Sequence, residues 1–376
     1  MKEHFPKFMK ETHLLGRLFL RRGLALGLLL AFALLLLGCY PDNPQSTFDP
    51  KGPVARNQLT LFWVIFWASV VVFAIVAGIL IYSVIKFRYK GENRLPVQVH
   101  GNRNLEVLWT VVPALLLVAI AVMTVRTIFE LDEAPSDDQL IVDVYGHQWW
   151  WEAVYPQYAV STANEIHVPV GRDVTVNLIS DDVIHSFWVP KLAGKEDVIP
   201  NEANDIWFRA DEPGIYLGQC AEFCGIAHAL MKFRVVASPM EEFEDWVASQ
   251  QAPARQPAND EAARGLAVFN SKGCVACHTT TGGFDTAEVR DARTEGFLTG
   301  QPVTHGPNLT HFATRDVFAG AIADSTEGNL RAWLEDPEEF KPGNRMAALA
   351  PAFKDPSLRL SEEEITALIA YLQSLK

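Results

Sequence analysis

The apolar positions in the first third of the chain form two long runs without a charge. Leu59–Ile85 holds 27 such residues and Val107–Val125 holds 19. Each run is long enough to cross about 30 Å of hydrocarbon as a helix, so we predict two membrane spans. The segment between them is basic and carries Lys86, Arg88, Lys90, Arg94 and Arg103. The positive-inside rule therefore places this segment in the cytoplasm and everything after about residue 126 on the other side of the membrane.

A third apolar run, Leu24–Leu37, follows a basic N-terminus and ends at Gly38 and Cys39. This order predicts a secretory signal over residues 1–38. Its ending, Leu-Leu-Gly-Cys, resembles a bacterial lipoprotein signal, which would make Cys39 the lipidated first residue of the mature chain. An uncleaved anchor is the alternative, but the run is short for a membrane span. Residues 39–130 are then predicted to form a two-helix membrane hairpin.

From Gln139 onward, apolar and polar residues alternate in short runs. Four runs are rich in Val, Ile, Phe and Trp: Gln139–Tyr145, Asp173–Ser180, Asp205–Ala210 and Met231–Ala237. Because turn residues separate these runs, we predict a β-sandwich or Greek-key barrel of about 100 residues within 131–240. A short helix is predicted over Pro239–Gln250. The Pro- and Ala-rich stretch after it predicts a linker, so that 241–258 separates two domains.

The last domain, residues 259–376, has the pattern of an all-α fold. Helices are predicted over Glu261–Asn270 and Leu330–Asp336. Ser361-Glu-Glu-Glu364 is a capping box that begins a terminal helix. Residues 280–304 are rich in Gly, Thr and acids and predict a surface loop. The chain is thus predicted to combine two membrane helices, an all-β domain and an all-α domain.

Charge and cysteine content narrow the functional classes. The formal net charge of −13 argues against nucleic acid as a partner and fits a surface that receives basic proteins, although it also serves solubility. Four of the five cysteines fall in two compact motifs. Because the fifth, Cys39, lies at the end of the signal, no pair is left for a structural disulfide. The cysteines therefore indicate an exported redox protein that binds metals.

The first motif places four metal-ligand side chains within 12 residues, namely Cys220, Cys224, His228 and Met231. Thiolates suit Cu(I), imidazole suits both copper states, and a thioether is a weak axial ligand. A second imidazole must come from another loop, and His185 is the candidate because it closely follows the predicted strand Asp173–Ser180. Two thiolates and two imidazoles could instead hold zinc, but methionine is not a usual zinc ligand. We therefore predict copper.

The second motif, Cys274-Val-Ala-Cys277-His278, has the C-x-x-C-H pattern that attaches a c-type haem. Both cysteines would form thioethers, and His278 would be the proximal iron ligand. Met346 is the only methionine after His278 and is the predicted distal ligand, since Met/His ligation raises the haem potential. The alternatives for the distal position are His305 and His311.

Four longer motifs extend beyond the metal ligands, namely Glu106–Pro113, Gly146–Trp151, Asp182–Ser186 and Gln219–Met231. Together they resemble subunit II of bacterial haem–copper cytochrome c oxidases, in the variety with a fused C-terminal cytochrome c. The resemblance implies a cupredoxin fold, a class I cytochrome c fold for the last domain, and a dinuclear copper centre, CuA, bridged by Cys220 and Cys224. The remaining ligands that it implies are His185 and His228, one on each copper, with Met231 and the backbone carbonyl of Glu222 in the weak positions.

The same resemblance implies roles for three further residues. Trp149 resembles the aromatic residue at which electrons enter, although Trp150 stands where the family commonly has tyrosine. Glu222 would also bind a Mg ion shared with subunit I, and Glu106 would feed protons toward subunit I from the cytoplasmic end of the second span. The alternatives are a core or interface tryptophan, a surface carboxylate and an acid solvated at the membrane interface.

The resemblance predicts the subunit through which electrons enter a terminal oxidase, from haem c through CuA to the catalytic subunit I, for dioxygen reduction coupled to proton pumping. A nitric oxide reductase of the same superfamily is the alternative, and Glu106 and Glu222 favour the oxidase. A quinol oxidase subunit II would lack the copper ligands. Expected partners are subunit I, other oxidase subunits, and a cytochrome c or an upstream respiratory complex as electron donor. Both redox domains are expected on the periplasmic face of a bacterial inner membrane.

Overall fold

The structure is a computed structural model that describes scattered positions between 23 and 32 and residues 43–89, 98, 101–132, 137–280 and 306–376. Within these residues, an apolar helical hairpin is followed by a β-domain and a helical domain. The predicted signal at 1–38, apart from those scattered positions, lies outside the described residues, as do Cys39 and nearly all of the predicted loop at 280–304. The signal, the lipidation and the loop therefore stay predictions.

Two long helices form the hairpin: α1 covers Pro53–Lys86 and α2 covers Arg103–Leu131. They are 34 and 29 residues long, and their most apolar stretches are not buried within the chain. Helices of this length and composition can cross a bilayer, so both predicted spans are confirmed as apolar candidate membrane helices. Each helix is longer than the charge-free run inside it, because the backbone stays helical through the polar residues at its ends.

The N-terminal end of α1 and the C-terminal end of α2 are attached to the β-domain. At the start of α1, Val54 and Ala55 are buried, and the Ala55 amide donates to the Leu192 carbonyl at 3.2 Å. At the end of α2, the Trp207 indole N–H donates to the Leu131 carbonyl at 3.0 Å. The β-domain therefore sits at the end of the hairpin opposite the basic segment that joins the two helices.

Within residues 137–280, ten strands form two sheets of five strands each. The strands are β1 (Leu140–His147), β2 (Trp150–Tyr155), β3 (Val160–Ala163), β4 (Glu165–Pro169), β5 (Val174–Ser180), β6 (His185–Trp188), β7 (Lys195–Val198), β8 (Asn204–Phe208), β9 (Gly214–Cys220) and β10 (Lys232–Ser238). One sheet has the order β3-β2-β1-β5-β8 and the other the order β4-β10-β9-β6-β7. The pairs β1–β5 and β4–β10 are parallel, and the other neighbouring strands of these sheets are antiparallel.

Alternation in the sequence buries one face of each sheet. In β1, Leu140 and Val144 are completely buried, as expected for residues that share one face of a strand. Trp151 of one sheet packs against Phe187 and Phe233 of the other, with ring centroids 5.7 and 5.3 Å away. The predicted β-sandwich is confirmed, and the four predicted strands correspond to β1, β5, β8 and β10.

After the sandwich, α3 (Met240–Gln251) leads into an extended linker and the helical domain. The helices of that domain are α4 (Asp260–Ser271), α5 (Glu327–Glu335), α6 (Pro337–Phe340), α7 (Arg345–Leu349), α8 (Pro351–Lys354) and α9 (Glu362–Ser374), with a short hairpin of β11 (Val317–Phe318) and β12 (Ala323–Asp324). The predicted capping box is confirmed at the start of α9, where Ser361 and Glu364 bond each other's backbone amides. The helical domain is thus built around the contact between α4 and α9.

The helical domain lies directly against the sandwich. Glu165 Oε1, at the start of β4, accepts from the Asp316 and Val317 amides, both at 3.0 Å. The Lys232 amide donates to the Gly320 carbonyl, also at 3.0 Å. Glu165 is buried, and hydrogen bonds to an ionised carboxylate are stronger than neutral ones. Direct contacts across this inter-domain interface, in addition to the linker, therefore hold the two domains together.

Candidate functional site

All five predicted copper-ligand side chains meet at one end of the sandwich. The ligand atoms of His185, Cys220 and Cys224 lie within 4.8 Å of one another. The two sulfurs are 3.7 Å apart. Cys224 Sγ also lies 3.6 Å from His228 Nδ1 and 3.7 Å from Met231 Sδ. The structure therefore brings together two thiols, two imidazoles and a thioether.

The ligand loop, from Cys220 to Met231, is held by the strands at its two ends. Cys220 ends β9 and Met231 directly precedes β10, and the Cys220 amide donates to the Met231 carbonyl at 2.9 Å. His185 reaches the loop from the start of β6, which pairs with β9. The Glu222 carbonyl oxygen lies 3.2 Å from Cys220 Sγ, beside the predicted metal position. The Glu222 carboxylate is exposed and accepts from the Phe223 amide, so its predicted Mg site stays a prediction.

The two thiols of the ligand loop differ in acidity. Their mutual hydrogen bond holds the pKa of Cys220 well below its usual range, with His185 adding to the effect and burial opposing it. The same bond raises the pKa of Cys224. Because the thiolate is the metal-binding form, one sulfur of the pair is prepared for a metal, and binding would release the remaining proton.

The donor chemistry of this pocket distinguishes copper from zinc. Met231 is completely buried and its thioether faces Cys224, so the thioether is part of the pocket. Soft thiolate and thioether donors combined with imidazole suit copper, whereas structural zinc sites use four Cys or His ligands. The residues present therefore fit a copper centre.

Asp182 is a site residue that the sequence interpretation missed. Its Oδ1 lies 2.8 Å from His185 Nε2, which leaves His185 Nδ1 facing Cys220 Sγ at 3.9 Å. Burial would raise the pKa of Asp182, but the hydrogen bonds from His185 and from the Gln148 amide lower it. The Asp-x-x-His spacing is visible in the sequence, but only the fold shows that the two side chains meet.

Asp182→Asn is expected to weaken copper binding about 10- to 100-fold, because the carboxylate that orients a ligating imidazole is lost. Competition with a copper chelator of known affinity measures this change. Asp181→Asn is the matched control, since Asp181 Oδ2 pairs with His147 Nδ1 at 3.3 Å. Equal copper affinity in the Asp182 variant and the unaltered chain would contradict the orienting role.

The Gln-Trp-Trp-Trp segment that follows His147 lies against the ligand loop. Gln148 Nε2 and the Trp149 indole N–H both donate to the Cys224 carbonyl, at 2.7 and 3.0 Å. Trp150 stacks on His147, with ring centroids 4.3 Å apart. Trp149 is thus bonded directly to the ligand loop. Its role in electron transfer stays a prediction.

Glu106 lies far along the chain from this pocket, in the first turn of α2. Its side chain is exposed, at the end of the helix next to the basic segment of the hairpin. This end of α2 is predicted to face the cytoplasm, which is the side from which Glu106 is predicted to take up protons. The proton role itself stays a prediction.

The haem-attachment motif follows α4 as a short 3₁₀ turn with two free thiols, Cys274 and Cys277. His278 Nδ1 lies 2.8 Å from the Pro307 carbonyl oxygen, which orients the imidazole. Gly306 passes so close that a Cβ there would lie 2.5 Å from His278 Cε1. Only a glycine fits beside the ring at this point. Two free thiols and an oriented histidine are the residues that covalent attachment of a haem c requires.

Two of the three candidates for the distal ligand lie within the described residues. Met346 is in the first turn of α7 and packs, together with Cys274, against the apolar cluster of the helical domain. His311 is buried and faces the backbone of the linker and of the C-terminus. His305 lies outside the described residues. These surroundings favour Met346, whose role as a ligand stays a prediction.

Two residues near the predicted distal ligand, Lys341 after α6 and Arg345 at the start of α7, contact the surroundings of the copper-ligand loop. Lys341 Nζ donates to the Trp149 carbonyl at 2.7 Å and to the Ala319 carbonyl at 2.8 Å. Arg345 Nη1 lies 3.4 Å from Asp182 Oδ2. The helical domain therefore contacts the tryptophan that is bonded to the ligand loop and the carboxylate that orients His185. Neither contact was predicted from the sequence.

Three known families match successive parts of the chain. Residues 45–127 match "Cytochrome C oxidase subunit II, transmembrane domain", and residues 158–238 match "Cytochrome C oxidase subunit II, periplasmic domain". Residues 262–376 match "Cytochrome c". The matches follow the hairpin, the sandwich and the helical domain in order, and these families imply a copper centre and a haem c.

Similar proteins match nearly the whole chain. The cytochrome c oxidase subunit 2 of Alkalihalophilus pseudofirmus is 39% identical over 353 residues, which cover 91% of this chain and 94% of the relative. The cytochrome c oxidase subunit 2 of Bacillus sp. strain PS3 is 39% identical over 361 residues, covering 92% and 95%. The crystal structure of the periplasmic domain of subunit II of cytochrome oxidase of Bradyrhizobium japonicum is 32% identical, covers 32% of this chain and 97% of that chain, and superposes with a TM-score of 0.31.

Proposed function

Because this chain belongs to the cytochrome c oxidase subunit II family and carries a C-terminal cytochrome c domain, we propose that it is the subunit through which electrons enter a proton-pumping terminal oxidase. The haem domain would receive electrons, and the copper domain would deliver them to subunit I, where dioxygen is reduced. The relatives described above are cytochrome c oxidase subunits, which favours this function over a nitric oxide reductase.

Convergence of the donor atoms on one pocket carries the proposal. Two sulfurs 3.7 Å apart, with His185 near Cys220 and His228 near Cys224, suit a dinuclear CuA centre in which both thiolates bridge. The ligands proposed in addition to these four are Met231 and the Glu222 carbonyl. Bound copper and haem c supply reversible one-electron transfer. The two sheets hold the ligands in place, which limits the change of geometry between redox states and favours rapid transfer.

The helical domain supplies the residues for a covalent haem c. Cys274 and Cys277 would form the two thioethers, and His278 would bind iron through Nε2 because its Nδ1 faces the Pro307 carbonyl. Met346 would complete the axial pair. Met/His ligation raises the haem potential, which suits a centre placed between a soluble donor and an oxidase.

The membrane hairpin sets the location of both domains. We propose that the basic segment between α1 and α2 faces the cytoplasm, so that the sandwich and the haem domain lie on the periplasmic side of a bacterial inner membrane. Subunit I and other oxidase subunits would be the membrane partners, with a Mg ion shared at Glu222 and proton uptake at Glu106. A cytochrome c or an upstream respiratory complex would be the donor, and the net charge of −13 would steer a basic one.

Flash-initiated reduction of the haem, followed at copper wavelengths in the assembled oxidase, tests this function. Copper reduction should proceed at a rate independent of protein concentration, because both sites belong to one chain. Trp149→Ala should slow this step, because the indole that donates to the Cys224 carbonyl is removed. Both metal spectra should remain normal in the variant.

Trp150→Ala is the matched control, since that indole stacks on the ring of His147. It should change the rate less than Trp149→Ala does. Equal rates in the two variants would remove Trp149 from the electron path. A wild-type rate that falls in proportion to dilution would show that the fused haem domain is not the donor to its own copper centre.

A further inference from the structure

The backbone that carries Lys341 is fixed by its neighbours. Asn344 Nδ2 donates to the Lys341 carbonyl at 2.8 Å, and Asn344 Oδ1 accepts from the Ala347 amide at 2.8 Å. Glu338 Oε1 accepts from the Gly343 amide at 2.8 Å. These bonds tie the segment between α6 and α7 to both helices. Lys341 is therefore hydrogen-bonded, through Asn344, to the first turn of α7, which carries the predicted distal haem ligand.

The Lys341 side chain extends from the helical domain to the backbone of the sandwich. The residue is only 3% exposed, and its Nζ donates to the Trp149 and Ala319 carbonyls. Gly320 lies against this contact: a Cβ there would be 2.4 Å from Lys341 Nζ and 3.0 Å from the Trp149 carbonyl oxygen. Burial lowers the pKa of Lys341 to about 7. Because a buried amino group without partners is strongly unfavourable, the two carbonyls define where this side chain can lie.

Given the proposed function, on which this inference rests, we propose that Lys341 is a positioning residue for electron transfer from haem to copper. Its hydrogen bond fixes the segment between α6 and α7 to the Trp149 carbonyl. This contact sets the distance between the two redox sites. Trp149 is then held from both sides, since its carbonyl accepts from the haem domain and its indole donates to the Cys224 carbonyl.

A second contact lies on the same side of the haem domain. Arg345, four residues after Lys341, pairs with Asp182 at 3.4 Å, and Asp182 orients His185. The Arg345 side chain is 39% exposed, so this ion pair contributes little by itself. Lys341 and Arg345 nevertheless reach the same region of the sandwich. Each contacts a group that is hydrogen-bonded to a predicted copper ligand or to its backbone.

The linker alone would not give one separation of the sites. Residues 252–259 have no regular structure, and a short tether provides a local concentration on the order of millimolar while leaving the orientation of the domain free. Electron transfer slows steeply with distance, so a freely oriented domain would give a range of rates. A buried contact of fixed geometry selects one orientation.

Lys341→Met, introduced in the full chain within the assembled oxidase, tests the positioning role. Methionine fills a similar volume but cannot donate to the two carbonyls. The Lys232 and Val317 amides, which bond across the inter-domain interface, should exchange with deuterium about tenfold faster, because loss of a buried donor destabilises the docked state. Copper reduction by the flash-reduced haem should slow, and it should become sensitive to solvent viscosity because the domain must redock. Haem and copper spectra and potentials should stay unchanged.

Two further variants separate docking from folding. Lys354→Met replaces an exposed lysine at the end of α8 in the same domain and should leave amide exchange and transfer rates at their wild-type values. Gly320→Ala crowds Lys341 Nζ and the Leu230 and Trp149 carbonyls at a backbone position with φ +79°, so it disturbs the docked interface without altering Lys341 and should reproduce both changes. Wild-type exchange and viscosity-independent transfer in Lys341→Met and Gly320→Ala would overturn the proposal. Faster exchange throughout α9 would also overturn it, because that pattern indicates loss of the fold.

The experiment also separates this inference from the proposed function. Absence of haem-to-copper transfer in the unaltered chain would refute the proposed function. Rapid transfer in the unaltered chain, with the same rate in Lys341→Met, would refute only the role of Lys341.

Discussion

Cys220→Ser is expected to abolish the near-infrared absorption and the mixed-valence EPR signal of the copper centre while leaving haem c absorption intact. Cys220 Sγ lies 3.7 Å from Cys224 Sγ and 3.9 Å from His185 Nδ1, so it would be one of the residues that hold the copper. A serine hydroxyl is a hard donor that stays protonated near neutral pH, so the soft bridging ligand would be lost. Copper content per chain should fall close to zero.

Cys274→Ser is the reciprocal control for this variant. It should remove one thioether of the haem and leave the copper signals unchanged, because Cys274 lies in the turn after α4 and not in the ligand loop. The two variants thus report on the two sites independently. A normal copper spectrum in Cys220→Ser or Cys224→Ser would refute the assignment of bridging ligands.

Met346→Ala is expected to keep the haem covalently attached but to change its axial ligation. Cys274 and Cys277 are untouched, so the thioethers should form. The weak absorption band at the red end of the spectrum that reports Met–iron bonding should disappear, and the haem potential should fall because the Met/His pair is lost. Absorption spectra and a redox titration of the purified oxidase measure both changes.

Met240→Ala provides the matched methionine control, because Met240 begins α3 outside the haem domain and is exposed. It should leave the band and the potential unchanged. His311→Ala tests the alternative ligand that lies within the described residues. Absence of the band in the unaltered chain, together with a change of axial ligation in His311→Ala but not in Met346→Ala, would show that His311 is the distal ligand.

The sequence pattern predicted the parts of the fold whose burial repeats regularly. Alternation identified β1, β5, β8 and β10, and burial follows it closely in β5 and β10, where successive residues face opposite sides of a sheet. In β8 the neighbours Trp207 and Phe208 are both buried, so burial is less regular there than the sequence pattern. Strands such as β4, which reads Glu165-Ile-His-Val-Pro169, were not predicted. All but one of the residues of β4 are buried, among them the charged Glu165, so its polarity does not report which side faces the core.

Candidate ligands were predictable where the chain itself brings them together. Cys220, Cys224, His228 and Met231 lie in one loop of 12 residues, and Cys274, Cys277 and His278 lie in one turn. Such spacings limit how far apart the donor atoms can be, whatever the rest of the fold does. His185 was predicted from its place after a predicted strand and from the family resemblance, and the pairing of β6 with β9 is what brings it to the two cysteines.

The sequence by itself determined the chemistry that this protein can carry, because ligand type, ligand spacing and charge-free length are properties of short segments. Only the tertiary structure decided how the two redox sites are joined. Lys341 and Trp149 are 192 residues apart in the chain, and their hydrogen bond exists because the helical domain docks on the sandwich in one orientation. Glu165 likewise finds the Asp316 and Val317 amides only through that docking. In the sequence, Lys341 is one more charged residue in a polar loop, since nothing local to a lysine indicates that another domain will bury it.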